Sequence, residues 1–230
     1  MRHHPDAVML FAAGFGTRMG ALTRNRPKPL IPVAGRALLD HTRDLVAAAG
    51  ITRVVVNAHY LADQIVDHLA GTPVLISRES PDILDTGGGL RQALPLLGPG
   101  PVFTANTDVL WQGANPFESL RRAWRPDEMD ALLLCVPPQN ALGHDGGGDF
   151  LLGADGRLSR GAGLVYGGVQ IIRTEGLEAI ADSAFSLNLL WNEIAASGRL
   201  FGLCHDGLWC DVGHPGGIAL GDSMLGGGDV

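Results

Sequence analysis

The sequence predicts an α/β fold, a doubly wound and mostly parallel sheet with helices on both faces. Short apolar runs alternate with amphipathic segments through the first 136 residues, which is typical of strands that alternate with helices. The runs are apolar throughout, as expected of parallel strands that are buried on both faces. Right-handed crossovers would wind such strands into an open Rossmann-like sheet. The 230 residues fit one domain, since α/β domains reach about 250 residues.

The first half contains the predicted strands and helices that define this fold class. The strands are expected at 8–12, 51–57, 74–77, 102–105 and 131–136. The helices are expected at 38–49, 61–69, 87–97 and 117–124, where apolar residues recur with helical spacing. Gly50 and Gly71 follow two of these helices, as expected because glycine readily adopts the left-handed backbone that closes a helix. A loop rich in glycine and proline is predicted from Ala13 to about Pro32.

A small α+β extension of the same sheet is predicted in the second half, where the pattern changes. The stretch that leads to Gly163 is rich in glycine, and its Asp155 and Gly156 favour a hairpin turn. A strand is expected at 164–172, a helix at 184–197 and a short strand at 200–204. We therefore expect a single domain over 1–230 with two halves, 1–136 and 137–230.

Composition and charge exclude several classes of protein. The formal net charge is −7 and only 18% of the residues are charged, which argues against a nucleic-acid-binding protein with a basic surface. No run of 18 apolar residues is present, so no membrane span is expected. The three cysteines, an odd number without a CxxC pair, favour reduced thiols in a cytoplasmic protein over a disulfide framework.

A glycine loop directly after the first strand is the first candidate for chemistry. Gly14 and Gly16 let backbone N–H groups approach a phosphate, and Arg18 and Lys28 add fixed positive charge. The dinucleotide fingerprint is not met, because Met19 stands where its third glycine is required and no acidic residue ends the second strand. A nicotinamide-dependent oxidoreductase is therefore disfavoured, and the P-loop pattern G-x-x-x-x-G-K-[ST] is absent as well.

The motifs resemble those of the sugar-1-phosphate nucleotidyltransferases over nearly the whole chain. The resemblance rests on five segments in the family's order: 11–19 (FAAGFGTRM), 27–29 (PKP), 84–90 (LDTGGGL), 106–108 (NTD) and 209–213 (WCDVG). The short length, the stretch 57–60 (NAHY) and the form of the second glycine loop are most similar to the N-acetylmuramate α-1-phosphate uridylyltransferases of cell-wall recycling.

This resemblance implies roles for particular residues. The catalytic residues would be Arg18, Lys28 and Asp108, and Mg²⁺ would bind Asp108 and Asp211. The nucleotide would contact Ala13, Gly14, Gly16, Thr17, Arg18, Lys28, Thr86, Gly87 and Gly88. The sugar would contact Asn106, Tyr166 and Gly168, where the glycine would leave room for the ring. The first half would then bind the nucleoside triphosphate and the second half the sugar 1-phosphate.

The position of Asp108 gives independent support to the metal site. It follows an apolar strand, and ligands of open α/β sheets bind beyond the carboxyl ends of the strands. Mg²⁺ is usually held by one or two carboxylates together with substrate phosphates. A strand-end carboxylate beside a phosphate loop therefore suits this cation.

Some features depart from the family pattern and leave alternatives open. Many relatives carry Glu-Lys-Pro in the middle of the chain to hold sugar hydroxyls, but the equivalent region 149–157 lacks it, and His214 stands where Thr is usual. A guanylyl- or thymidylyltransferase acting on mannose or glucose 1-phosphate is one alternative. A catalytically silent sugar-nucleotide-binding regulator is another. No β-helix repeat follows the α/β part, so we expect a monomer.

Overall fold

A seven-stranded sheet forms the centre of the computed structural model, which describes residues 4–226. The strands, in chain order, are β1 (Ala7–Phe11), β2 (Pro32–Val33), β3 (Arg36–Ala37), β4 (Arg53–Ala58), β5 (Leu75–Arg78), β6 (Val102–Asn106), β7 (Val109–Trp111), β8 (Ala131–Val136), β9 (Ala141–Leu142), β10 (Phe150–Leu152), β11 (Leu158–Arg160), β12 (Val165–Ile172), β13 (Leu200–Cys204) and β14 (Trp209–Asp211). The α-helices are α1 (Leu38–Ala48), α2 (Ala62–His68), α3 (Asp85–Leu97), α4 (Pro116–Ala123), α5 (Asn188–Ala196) and α6 (Pro215–Gly226).

The strand order of the central sheet is β13-β8-β12-β6-β1-β4-β5. Every neighbouring pair is parallel except those of β12, which runs antiparallel to both β6 and β8. The predicted mostly parallel sheet is therefore confirmed. The second half extends this same sheet, as predicted, and its strand β12 lies near the middle rather than at an edge.

Helices cover both faces of the sheet, as the sequence predicts. Side chains of β1 alternate between the faces, with Val8 and Leu10 in one core layer and Met9 in the other. The helices α1, α2 and α4 pack on the first face, and α3 and α5 pack on the second. Within residues 4–226, no helix combines the length and the apolar character that a membrane span requires.

Two parts of the second half differ from the predictions. Helix α6 is not predicted, because glycines at 216, 217, 221 and 226 suggest turns. They are helical because the helix packs closely against the rest of the chain: a Cβ at Gly217 would lie 2.5 Å from the Asp211 carbonyl oxygen. The predicted helix at 184–197 begins only at Asn188, since the preceding residues pack against α3. The predicted hairpin is present as β10 and β11, and Gly156 adopts a positive φ in its turn.

A second, three-stranded sheet is also absent from the sequence-based prediction. It has the order β7-β14-β9, and its strands are only two or three residues long. Such short strands carry too little periodicity to be recognised from the pattern. The sheet matters for the site, because β7 begins directly after Asp108 and pairs with β14, which ends at Asp211.

Candidate active site

A cleft of about 320 Å³ opens at the carboxyl ends of the central strands. Phe11 ends β1, Asn57 lies near the end of β4, and Asn106 ends β6, so neighbouring strands contribute to one wall. Ligands of open α/β sheets bind at this edge. The cleft receives these predicted site residues: Ala13, Gly14, Gly16, Thr17, Arg18, Lys28, Thr86, Asn106 and Asp108.

The first glycine loop is held by contacts that require glycine at position 16. Gly16 has φ +63°, and an added Cβ would lie 2.9 Å from the Thr23 methyl and 3.0 Å from Lys28 Cβ. The Thr23 hydroxyl donates a hydrogen bond to the Gly16 carbonyl oxygen at 3.0 Å. Gly14, in contrast, has open space around the position of its missing Cβ. The loop therefore packs tightly on one side and presents a bare backbone to the cleft on the other.

The outer side of this loop is fixed by aromatic residues after β4. The Phe15 ring lies edge-on to His59, with 5.4 Å between ring centroids, and is tilted against Tyr60. The Tyr60 hydroxyl donates to the Thr23 carbonyl oxygen at 2.8 Å. His59 and Tyr60, part of the resemblance in the sequence, thus support the first glycine loop from outside.

Lys28 and Asp108 form an ion pair on the wall of the cleft. Lys28 Nζ donates to Asp108 Oδ2 at 2.5 Å, and Lys28 is only 8% exposed. Lys28 is the single lysine of the chain, whose other fixed side-chain cations are all arginine. The cation at this position is thus a compact ammonium rather than the planar fork of a guanidinium.

Asp211 lies close to Asp108 because β14 pairs with β7. In this antiparallel pair Asp211 lies opposite Val109, and the Val212 N–H donates to the Asp108 carbonyl oxygen at 3.0 Å. Burial raises the pKa of Asp211, and the Asp108 carboxylate raises it further. The positive charges of Lys28 and Arg18 lower this pKa and so oppose the shift.

The two carboxylates form a donor set that fits Mg²⁺. They are close enough for one to disfavour ionisation of the other, a cost that a dication between them would remove. Among residues 4–226 no group of three acidic, histidine or cysteine side chains surrounds a common point. A site completed by substrate phosphates matches this arrangement, since Mg²⁺ is rarely held by protein ligands alone.

The second glycine loop is packed differently from the expectation. Gly87 and Gly88 do not line the cleft, because both N–H groups donate to the Phe185 carbonyl oxygen, at 2.8 and 3.2 Å. A Cβ at Gly87 would lie 2.3 Å from the Phe185 ring, and one at Gly88 would lie 2.4 Å from the Ser183 carbonyl oxygen. These glycines admit a distant segment of the chain, and Asp85 and Thr86 line the cleft instead.

Replacing Gly88 by alanine should therefore destabilise the protein. The added methyl group must displace the 183–185 backbone or the start of α3, and overpacking of this kind costs about 1–3 kcal/mol. Urea denaturation measures the free energy of unfolding, and Gly14→Ala is the matched control because its Cβ meets no atom within 4 Å. Equal stability of the two variants would contradict the packing described here.

Glu79, which flanks the second glycine loop in the sequence, links the two glycine loops. It is 3% exposed, its Oε1 accepts from Asn57 Nδ2 at 2.6 Å, and its Oε2 accepts from the Leu84 N–H at 2.8 Å. Asn57 Oδ1 in turn accepts from the Ala12 N–H at 2.6 Å. Gly89 makes space for the carboxylate, since a Cβ there would lie 2.5 Å from Glu79 Oε1. Leu84 is close to Glu79 in the sequence, but Asn57 belongs to β4, so the local sequence gives no signal of the link to the first loop.

A second cavity of about 250 Å³ adjoins the first and shares with it Phe11, Asp85, Thr86 and Asn106. Tyr166 lines it, with its ring edge-on to Trp191 at 4.9 Å between centroids. Burial raises the pKa of the Tyr166 phenol far above its ordinary value, so the hydroxyl stays protonated; a hydrogen bond with Thr104 opposes the shift in part.

The remaining predicted sugar residue, Gly168, does not line either cavity. Its φ is +88°, at the irregularity where the pairing of β12 with β8 shifts, and a Cβ would lie 3.0 Å from the Asn106 side chain. The space it leaves is thus taken by Asn106 rather than by a sugar ring. Asp149, from the region that lacks Glu-Lys-Pro, does line the second cavity, and its Oδ2 accepts from the Tyr166 N–H at 2.8 Å.

Comparison with known proteins identifies the family. Residues 8–149 match the model of the MobA-like NTP transferase domain. The chain is also 42% identical, over 94% of its length and 95% of the relative's, to the N-acetylmuramate alpha-1-phosphate uridylyltransferase of Caulobacter vibrioides. The chain belongs to the MobA-like NTP transferase family. A second relative of the same name, from Neisseria meningitidis, is 36% identical over 90% of this chain and 92% of its own.

A solved structure supports the architecture. HddC from Yersinia pseudotuberculosis, complexed with GMP-PN, superposes with a TM-score of 0.78 at 19% identity. The superposition covers 95% of this chain and 99% of HddC. The fold of this MobA-like NTP transferase is therefore shared with that protein over nearly the whole chain.

Proposed function

We propose that the protein transfers a uridylyl group from UTP to N-acetylmuramate 1-phosphate, giving the UDP-sugar and pyrophosphate. The observation that carries the reaction class is the Lys28–Asp108 pair, which lies on the wall of a cleft that the first glycine loop also lines. The names of the two similar uridylyltransferases support the choice of base and sugar.

The chemistry needs positioning and charge rather than a general base. A phosphate oxygen of the sugar 1-phosphate attacks the α-phosphorus of UTP, a new P–O bond forms, and the bond to pyrophosphate breaks in line. A phosphate monoester has a second pKa of about 6, so this nucleophile is already ionised near neutral pH. The protein therefore has to align two anionic groups and offset their charge.

Four side chains would provide this alignment and charge. Arg18, with its planar fork of donors, suits the triphosphate oxygens. Lys28, a compact point charge, suits the oxygens of the sugar phosphate and of the α-phosphate. Asp108 and Asp211 would hold Mg²⁺, which when bound supplies positive charge to the reacting phosphates. The Lys28 ammonium, paired with Asp108 in the structure, would turn to the phosphates when the nucleotide enters.

The two adjoining cavities suggest how the substrates divide the site. The nucleotide would occupy the larger cleft beside Gly14, and the sugar would occupy the second cavity beside Tyr166 and Asn106. The halves 1–136 and 137–230 would then act as one domain, since β12 from the second half lies between strands of the first. We further propose a cytoplasmic monomer that acts on these small molecules and not on nucleic acid.

Pyrophosphate release with Mg²⁺ tests the proposal. UTP, GTP, dTTP, CTP and ATP are each combined with the 1-phosphates of N-acetylmuramate, N-acetylglucosamine, glucose and mannose. Release with UTP and the muramate sugar alone is the expected result. Release with another pair would keep the reaction and replace the substrates, and binding of a nucleotide without any release would favour a silent binder.

A further inference from the structure

Arg160 stands out among the residues of the second cavity. It ends β11, lines this cavity and not the nucleotide cleft, and contributes the only cationic side chain to the lining within the described part of the chain. Its Nη2 donates to the amide oxygens of Asn188, at 2.6 Å, and Asn192, at 3.3 Å. The guanidinium carbon lies 4.7 Å from the centroid of the Phe150 ring and 5.6 Å from that of Trp191.

These contacts hold the guanidinium in place without neutralising it. Its partners are neutral amides and aromatic faces, and within residues 4–226 it forms no ion pair with a carboxylate. Arg157 on the same hairpin shows the contrast, because it is bound to Asp155 at 2.6 Å. A fixed, unneutralised guanidinium that faces a cavity is suited to a planar anion such as a carboxylate.

The charges around Arg160 make the cavity selective about where an anion could lie. Asp85 and Asp149 also line it, and the Asp149 carboxylate is directed to the Tyr166 N–H. Either carboxylate would repel an anion placed beside it. A negatively charged substituent is therefore accommodated only at the Arg160 wall, while hydroxyl groups suit the acidic walls.

We propose that Arg160 binds the carboxylate of the lactyl ether on the sugar and so selects an acidic N-acetylhexosamine 1-phosphate over a neutral one. This inference rests on the proposed function. N-acetylmuramate differs from N-acetylglucosamine by this lactyl group on O3, and C3 is separated from the phosphate-bearing C1 by one ring carbon. Lys28 lines the nucleotide cleft and Arg160 the adjoining cavity, so the substrate's two anions would each meet one cation.

The test compares Arg160→Gln with the native protein on two substrates. They are N-acetylmuramate 1-phosphate and the same sugar with its lactyl carboxylate converted to an amide. Single-turnover reactions with enzyme in excess bring slow substrates within range. On the acidic sugar we expect the variant's half-saturating sugar concentration to rise about 20-fold with its maximal rate within about threefold, since a charged hydrogen bond of this kind acts in binding.

The native protein, measured on the amide substrate, supplies a second result that does not depend on the folding of any variant. For the native protein, the half-saturating concentration of the amide should be about 20-fold higher than that of the acidic sugar. For Arg160→Gln, the half-saturating concentration of the amide should be no more than about threefold higher than the native value for the amide, because the two changes remove one interaction. Arg157→Gln is the matched control on the same hairpin and should behave as the native protein does. Arg160→Lys should recover part of the affinity for the acidic sugar.

Two failures are distinguishable. If the native protein transfers nothing to the acidic sugar, the proposed function is wrong and this inference falls with it. If the native protein transfers to the acidic sugar but treats the amide equally well, the inference alone is overturned. The inference is also overturned if Arg160→Gln weakens the binding of both substrates by the same factor, because its effect would then be structural rather than a response to the carboxylate.

Discussion

Lys28→Ala should lower the turnover number for uridylyl transfer at least about 100-fold, which corresponds to about 2.7 kcal/mol of transition-state stabilisation. The ammonium lies on the wall of the cleft, in contact with Asp108, and no second lysine is available in the chain to replace it. Arginine should not restore full activity, because its charge is spread over a planar fork of donors, whereas the lysine ammonium is a compact point charge.

Saturation kinetics with Mg²⁺ in excess measures this effect. Arg26→Ala is the matched control, since Arg26 lies two residues earlier in the same proline-containing segment and is exposed. It should retain native turnover. A Lys28→Ala variant that melts at the same temperature as the native protein and turns over within about fivefold of the native rate would remove Lys28 from the mechanism.

Asp108→Asn should also lower turnover at least about 100-fold. The substitution keeps the shape of the side chain but removes the charge that pairs with Lys28 and that, with Asp211, would hold Mg²⁺. We expect the variant to require more Mg²⁺ for half-maximal rate, because one of its two carboxylate ligands is gone. Rates measured over a series of Mg²⁺ concentrations separate a raised Mg²⁺ requirement from a lower rate at saturating Mg²⁺.

Asp127→Asn serves as the control for this variant. Asp127 is exposed and precedes β8, whose amino end lies at the edge of the sheet opposite the cleft. Its replacement should change neither the rate nor the Mg²⁺ requirement. Native activity and native Mg²⁺ dependence in Asp108→Asn would show that this carboxylate does not bind the cation.

The strands and helices of the first half follow from local pattern, and the sheet order does not. Continuous apolar runs such as 131–136 must be buried on both faces, so their identity as inner strands is visible in the sequence. The insertion of β12 between β6 and β8 depends on pairing between residues far apart in the chain. Helix α6 is hidden because its glycines serve close packing, which a local pattern does not distinguish from a turn.

In the site, too, some residues can be predicted from the local sequence, and others depend on contacts with residues far along the chain. The loop 13–18, Lys28 and Asp108 are close in space because they follow neighbouring strands, which a parallel sheet makes predictable. Gly87 and Gly88 are expected beside the nucleotide, but they make room for Ser183 and Phe185, which lie far along the chain. A missing Cβ signals a close approach without saying whether a ligand or the chain itself approaches.

We propose above that this cleft joins the uridylyl group of UTP to N-acetylmuramate 1-phosphate. Mass spectrometry of the products from these two substrates and Mg²⁺ tests it most directly, with Lys28→Ala as the blank. We expect UDP-N-acetylmuramate in the native reaction, in amounts equal to the pyrophosphate released, and almost none in the blank. Pyrophosphate without a sugar nucleotide, or equal product from the blank, would contradict it.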